Sequence, residues 1–325
     1  MTKPSSAKLS VLGLRAYYFA ENGIVKAVDN VTFEIGENES LGIAGESACG
    51  KSTLASTLLR ALQHPGKIVG GNIIIDGVDV SKLSDNDFNE SIRWKKLAII
   101  FQGAMNTLDP VYKIGDQMRE IMQQHQFEGD IEGTILKSLE QVGLHPDISK
   151  RYPHEISGGM KQRVVIAMAL LLNPDIVIAD EPTTALDVIA QAQIINLLKR
   201  LKKENGLTII LITHDLGIIS EIAERIAIMY AGQLVEIGSA AEIYKNPKHP
   251  YTQALISAIP TLHEKNKIAF IKGNPPNLAH APTGCRFFER CPHAMNICKE
   301  EPPEIATETG FTRCWLYVKC VNSLL

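Results

Sequence analysis

A chain of 325 residues, 45% of them hydrophobic and 21% charged, has the composition of a globular protein and not of a disordered one. Its 33 Lys and Arg nearly balance its 36 Asp and Glu, a net charge of −3, which leaves no overall cationic footprint for nucleic acid. No run reaches the ~18 consecutive apolar residues of a membrane span, and the polar start does not read as a signal peptide, so the expectation is a cytoplasmic protein.

The predicted elements alternate. Leu9–Tyr18 and Val31–Ile35 read as strands, and Ser40–Ala44 as a short buried parallel strand ending at Gly45. Lys51–Leu62 has helical periodicity, Ile73–Ile75 is a strand before the Asp76-Gly77 turn, and Leu97–Phe101 is another buried strand. Residues 115–141 are helical in pattern, and Gln162–Leu172 is a helix stopped by Asn173-Pro174. The strand Ile176–Ala179, the helix Ala190–Lys203, the strand Leu207–Ile212 and the helix Leu216–Arg225 follow. Ile226–Tyr230 and Gln233–Ile237 form a hairpin around Ala231-Gly232. The alternation predicts an α/β domain with a largely parallel sheet over residues 1–245. Residues 246–325 form a loop-rich C-terminal extension, rich in Pro, His and Cys and poor in periodicity.

Gly45-Glu46-Ser47-Ala48-Cys49-Gly50-Lys51-Ser52 fits G-x-x-x-x-G-K-[ST] between a strand and a helix. Phosphate needs backbone N–H donors that approach closely. Glycines remove the side chains that would block them, and a helix N-terminus adds a positive dipole. Lys51 is placed to reach the β- and γ-phosphates, Ser52 to help hold Mg²⁺, and Thr53 to lie near the α-phosphate. The bland alternative is a glycine turn before an ordinary helix.

Ile176–Ala179 ends in Asp180 and Glu181. Asp180 suits Mg²⁺, directly or through water, and Glu181 suits a general base on the attacking water. Ser157-Gly158-Gly159 before a helix again offers backbone donors to an anion, with a plain helix cap as the alternative.

The order of these motifs resembles the nucleotide-binding domain of ABC transporters: phosphate loop, Gln102, Ser157-Gly158-Gly159, Asp180-Glu181, Thr184-Ala185-Leu186-Asp187, His214. The resemblance spans residues 9–240 and implies a P-loop NTPase of ABC type: a parallel-sheet core, an N-terminal antiparallel β subdomain and a helical subdomain over residues 103–155. It places an adenine-stacking ring at Tyr18, with Tyr17 as the near alternative. Gln102 would sense Mg²⁺ and the attacking water, and its loop would touch the membrane partner. Ser157, Gly158 and Gly159 would cap the γ-phosphate of ATP held by the opposite subunit, Asp187 would lie at the dimer seam, and His214 would contact the γ-phosphate. ATP would join two such domains and hydrolysis would release them. Ala48, Ile156 and Met160 depart from the commonest forms, Gly, Leu and Gln, without removing a backbone donor.

Met160-Lys161-Gln162-Arg163 and Ala167-Met168-Ala169-Leu170, with Asn246-Pro247-Lys248-His249-Pro250-Tyr251-Thr252 and Gly273-Asn274-Pro275-Pro276, resemble the oligopeptide/dipeptide importer ATPases, D-type. That implies ATP-driven import of dipeptides or oligopeptides, with a second, related ATPase, two permease subunits, an external binding protein acting indirectly, and a place on the inner face of the cell membrane. A nickel importer and a soluble ABC ATPase are the alternatives. The second usually has coiled-coil insertions or a duplicated domain, and this chain has neither.

Five of the six cysteines lie in the last part of the chain. Cys285, Cys291, Cys298 and Cys314 suit an iron–sulfur cluster or tetrahedral Zn²⁺. Structural zinc prefers tight pairs, and these wider spacings favour a cubane. Related importers include members with a four-iron four-sulfur cluster at this place. Disulfides and unligated thiols stay open, and a stabilising role is favoured over redox sensing. Cys320 reads as a bystander, and Cys49 as a small filler in the phosphate loop rather than a redox switch.

Overall fold

The structure, a computed structural model, describes residues 7–21, 23–103, 107–259 and 271–318. In chain order its elements begin with β1 (Leu9–Ala20), β2 (Gly23–Ile35), β3 (Ser40–Ala44), α1 (Lys51–Leu58), β4 (Gly66–Ile75), β5 (Val78–Asp79), α2 (Asp85–Ser91) and β6 (Leu97–Ile100). Next come α3 (Ile114–Gln124), α4 (Ile131–Gln141), α5 (Gly158–Leu170), β7 (Ile176–Asp180), α6 (Val188–Asn205) and β8 (Thr208–Ile212). The chain continues through α7 (Leu216–Ile222), β9 (Arg225–Tyr230), β10 (Gln233–Ser239), α8 (Ala240–Lys245), α9 (Pro250–Ser257), β11 (Glu304–Ala306) and β12 (Phe311–Arg313). These elements form two compact units. One gathers the described residues up to Leu9 with Ile35–Glu39 and Ile74–Leu211; the other gathers Ser10–Glu34, Ser40–Ile73 and the described residues from Ile212 onward.

In the first unit β8, β7 and β6 lie side by side, β6 parallel to β7 with Leu97 opposite Ile176 and Ile100 opposite Ala179. Every residue of these strands is buried, which is why they read as unbroken apolar runs. The helical pattern over 115–141 is two helices, not one. Gln126 sits at φ 53, and Asp130 then caps α4 by accepting from the Gly133 N–H at 3.0 Å. Met118 and Met122 of α3 and Ile135 and Leu139 of α4 are fully buried where these helices meet each other and α5.

In the second unit β3 runs parallel to β9, with Leu41 opposite Arg225 and Ala44 opposite Ile228. The hairpin β9–β10 forms across Ala231-Gly232, as the sequence predicts. Strand β10 then pairs antiparallel with β12, and β12 with β11, so the extension adds two strands. A second sheet places β1 between β2 and β4. Both β2 and β4 begin seven or more residues before their predicted starts, Val31 and Ile73. Glycines hide the alternation in β4. A Cβ on Gly71, at φ 91, would lie 2.5 Å from Leu14 Cα, so β1 crosses there only because the position is glycine. Helix α1 stops at Leu58 rather than Leu62, with Arg60 in the left-handed region at φ 52. Helix α7 likewise ends three residues early, where Ala223 turns extended.

Candidate nucleotide site

The phosphate loop joins β3 to α1 in the second unit. Glycine is required at both of its ends: a Cβ on Gly45 would lie 2.1 Å from Met229 O, and one on Gly50, at φ 108, would lie 2.0 Å from Ala27 O. Ala48 adopts φ 62, a left-handed conformation unfavourable to any side chain and the position where the family's commoner residue is glycine. Gly50 caps α1 without a side chain and the first turn holds no carboxylate, so neither a capping side chain nor a local negative charge competes for an anion at this helix start. Lys51 is 7% exposed. Its Nζ donates to Gly45 O at 2.7 Å and Glu46 O at 3.0 Å, and lies 3.7 Å from Cys49 Sγ. Ser52 is exposed and Thr53 half-buried. Cys49 is 3% exposed and burial pushes its thiol up, as suits a filler.

On β1 of the same unit Tyr17 donates its hydroxyl to Asp29 Oδ1 at 2.6 Å, and burial beside that carboxylate pushes it up to about 12. Tyr18, half-buried, lies over Gly66, where a Cβ would come 2.8 Å from its ring. His214 is exposed in the turn between β8 and α7, just after Thr213, whose hydroxyl accepts from the Asp215 N–H at 3.1 Å.

The first unit carries the remaining motif residues. Asp180 ends β7 and Glu181 follows it directly, only 3% and 8% exposed. Glu181 adopts φ 49, and Thr184 Oγ1 donates to its Oε2 at 3.1 Å. A buried carboxylate held in the left-handed region is strain of the kind found at reacting sites. Gln102 is exposed two residues after β6.

Helix α5 starts at Gly158, four residues before its predicted start. Ser157 is therefore its N-cap, accepting from the Met160 N–H at 3.4 Å, and Gly158 and Gly159 form its first turn. Glycines at a helix start carry no apolar signal, so periodicity alone missed that turn. Asp187 caps α6 by accepting from the Ala190 N–H at 2.8 Å. Ser157, Gly158, Gly159, Arg163 and Asp187 line one open cavity of about 430 Å³, so the two motifs share a concavity.

Residues 28–184 match the ABC transporter family, and residues 235–298 match the family described as oligopeptide/dipeptide transporter, C-terminal region. The chain is 42% identical over 316 residues to the dipeptide transport ATP-binding protein DppD of Caldanaerobacter subterraneus subsp. tengcongensis, covering 95% of this chain and 97% of that protein. It is also 42% identical over 317 residues to the oligopeptide transport ATP-binding protein OppD of Salmonella typhimurium, covering 96% and 94%. This chain belongs to the ABC transporter ATP-binding proteins. Its solved relatives include the ATP-binding cassette MJ0796, a dimer bound to ADP and Pi, with TM-score 0.63 and 29% identity over 71% of this chain and 98% of that one. The cassette cbiO1 of Clostridium perfringens superimposes with TM-score 0.63 at 26% identity, covering 74% and 91%. The P-loop NTPase fold of ABC type, expected from the motif order, is the fold of this ABC protein.

The ABC protein's extension meets its phosphate loop through contacts that no motif announces. Tyr251 of α9 accepts from the Glu46 N–H at 2.8 Å, so that loop donor is already engaged. Arg290 pairs with the Glu46 carboxylate at 2.7 Å. Tyr230, Tyr251, Phe287 and His249 stack into one aromatic cluster, with ring centroids 4.5–5.9 Å apart. His249 is buried, and that burial pushes its imidazole down to about 3, so it stays neutral and accepts from the Tyr251 N–H at 3.0 Å.

Cys285, Cys291, Cys298 and Cys314 are all free and line one enclosed, apolar-walled cavity with Phe287, Trp315 and His249. Burial, with the neighbouring thiols adding to it, pushes Cys285 up to about 11 and Cys314 up to about 12. Among the described residues no group of three or more His, Cys, Asp or Glu is arranged to hold a metal ion. Cys320 lies outside the described residues.

Proposed function

We propose that this ABC protein hydrolyses ATP to power import of dipeptides or oligopeptides through a membrane permease. What carries the reading is the union, in one chain, of a complete phosphate loop with the oligopeptide/dipeptide C-terminal region, at 42% identity to relatives named for dipeptide and oligopeptide transport. Residues 1–245 serve as the ATP-binding domain, with its helical subdomain at 103–155, and residues 246–325 as its extension.

The residues divide the work. Tyr18 stacks on adenine, and the backbone from Gly45 to Thr53 with the Lys51 ammonium holds the phosphates. Ser52, Asp180 and Gln102 supply the hard oxygen donors that suit Mg²⁺. Held there, Mg²⁺ would supply positive charge to offset that of the phosphates. Glu181 takes a proton from the attacking water while His214 and Gln102 orient the γ-phosphate and that water. Ser157, Gly158 and Gly159 close over the γ-phosphate of ATP on the partner ATPase, beside Asp187 at the seam. Hydrolysis removes that shared ligand and lets the pair open.

The partner is a second, related ATPase, and the pair sits on two permease subunits at the inner face of the membrane, served by an external binding protein. Among the described residues no helix is long and apolar enough to cross a membrane. Val111 and Tyr112, a short way along the chain from Gln102, are 70% and 57% exposed and offer the permease an apolar surface.

For the extension we propose a four-iron four-sulfur cluster on Cys285, Cys291, Cys298 and Cys314. Four free thiols lining one cavity support it. Its thiolate bonds would cross-link a segment that has little core of its own. Chain purified without oxygen should carry about four iron and four sulfide. A chain with both Cys285→Ser and Cys314→Ser should lose both and unfold several degrees lower. About one zinc and no sulfide in the wild type would defeat the cluster.

Transport itself is tested by uptake in cells carrying Glu181→Gln at the native locus, with labelled dipeptide, longer peptide and nickel. Loss of one peptide class is the expected result. Loss of nickel alone would overturn the cargo, and no loss with the variant expressed would overturn the transport role for all three.

A further inference from the structure

A loop that holds a triphosphate gains nothing from a carboxylate, yet Glu46 follows Gly45 directly. Left unpaired, its charge would oppose the charge of the ligand. In this structure it is not unpaired. Arg290 Nη1 and Nη2 donate to Glu46 Oε2 and Oε1 at 2.7 and 2.9 Å, a fork on both oxygens. The Arg290 side chain is 6% exposed and that of Glu46 24%.

The fork itself is fixed in place. Arg290 Nε donates to Lys272 O at 3.0 Å, Nη1 also donates to Tyr230 Oη at 3.1 Å, and the guanidinium lies over the Tyr230 and Phe287 rings at 5.7 and 5.9 Å. Little freedom is left to lose when it clamps the carboxylate. The clamp comes from the C-terminal extension, from the residue immediately before Cys291.

We propose that Arg290 is a positioning residue for ATP: by neutralising and immobilising Glu46 it makes the phosphate loop receptive to the triphosphate, so the extension helps set nucleotide affinity. The inference rests on the ATP site proposed above. It makes a signed prediction. Removing Arg290 alone leaves an unpaired carboxylate in the phosphate loop, and removing the carboxylate as well removes the harm. A role confined to holding the extension in place, or a direct contact between Arg290 and phosphate, predicts no such rescue.

The test uses the full-length chain, titrated with ATP, ADP and AMP in the presence of Mg²⁺, with steady-state phosphate release alongside. In R290A the Kd and KM for ATP should rise roughly tenfold, kcat should change less than about twofold, and the affinity loss should shrink from ATP to ADP to AMP. The double variant E46Q/R290A should bind ATP within about threefold of E46Q alone. Wild-type affinity in R290A overturns the proposal, as does a loss that persists in the double variant or is equal for all three nucleotides. Should R290A not fold, R290K replaces it, keeping the charge without the fork. A Kd about threefold higher, relieved by E46Q, supports the proposal; no rise, or a rise that E46Q does not relieve, overturns it. A wild-type chain that binds no ATP at all sinks the underlying site reading instead.

Discussion

Replacing Glu181 with Gln should lower ATP turnover by ~10²–10⁴-fold while ATP still binds. The amide keeps the size of the side chain and an oxygen for the Thr184 hydroxyl, which now donates to Glu181 Oε2 at 3.1 Å. It cannot take a proton from water. Because Glu181 is 8% exposed and set at φ 49 directly after β7, the backbone fixes where its carboxyl starts, and no neighbour in the motif offers the same base from the same place. Phosphate release and ATP titration on one preparation separate the two effects. Turnover within a few-fold of wild type would remove Glu181 from the chemistry, and a parallel loss of binding would make its role structural.

Lys51→Ala should weaken ATP binding by about 10²-fold, and with it hydrolysis at any ordinary ATP concentration. The structure shows why the fold should survive. Among the described residues the ammonium bonds only to the carbonyls of Gly45 and Glu46 and to Cys49 Sγ, all within its own loop. A triphosphate would draw the ammonium from those carbonyls to its own oxygens, a charge-assisted bond in place of a neutral one. Melting temperature without nucleotide should be near wild type, and its rise on adding ATP should vanish. A variant that is still stabilised by ATP as strongly as wild type would contradict the assignment.

How far the sequence could be read depended on what kind of signal each feature leaves. Buried parallel strands such as β3, β7 and β8 are continuous apolar runs and could be placed to within a residue or two. The strands β2 and β4 were only half visible, because glycines and exposed polar residues dilute their alternation. Helix α9, eight residues long and opened by Pro250 after the His249 cap, is too short for periodicity to reveal inside a Pro-rich stretch. The phosphate loop, the Ser157-Gly158-Gly159 turn and the Asp180-Glu181 pair were legible because their chemistry demands fixed spacings. The contacts of Arg290 and Tyr251 with Glu46 were not, since each spans more than 200 positions, and a long-range pair leaves no local pattern.

The hairpin β11–β12 has one more consequence. Without it β10 would end its sheet with a row of unpaired amides and carbonyls along a strand that is almost entirely buried, Leu234 to Gly238. Such an edge recruits other chains. The extension replaces it with β11, three residues long, mostly exposed, led in by Pro302-Pro303 and carrying the charge of Glu304. A short, charged, proline-guarded strand is a poor template for further pairing, so the extension that reaches the phosphate loop also gives its sheet an edge ill-suited to recruiting another chain.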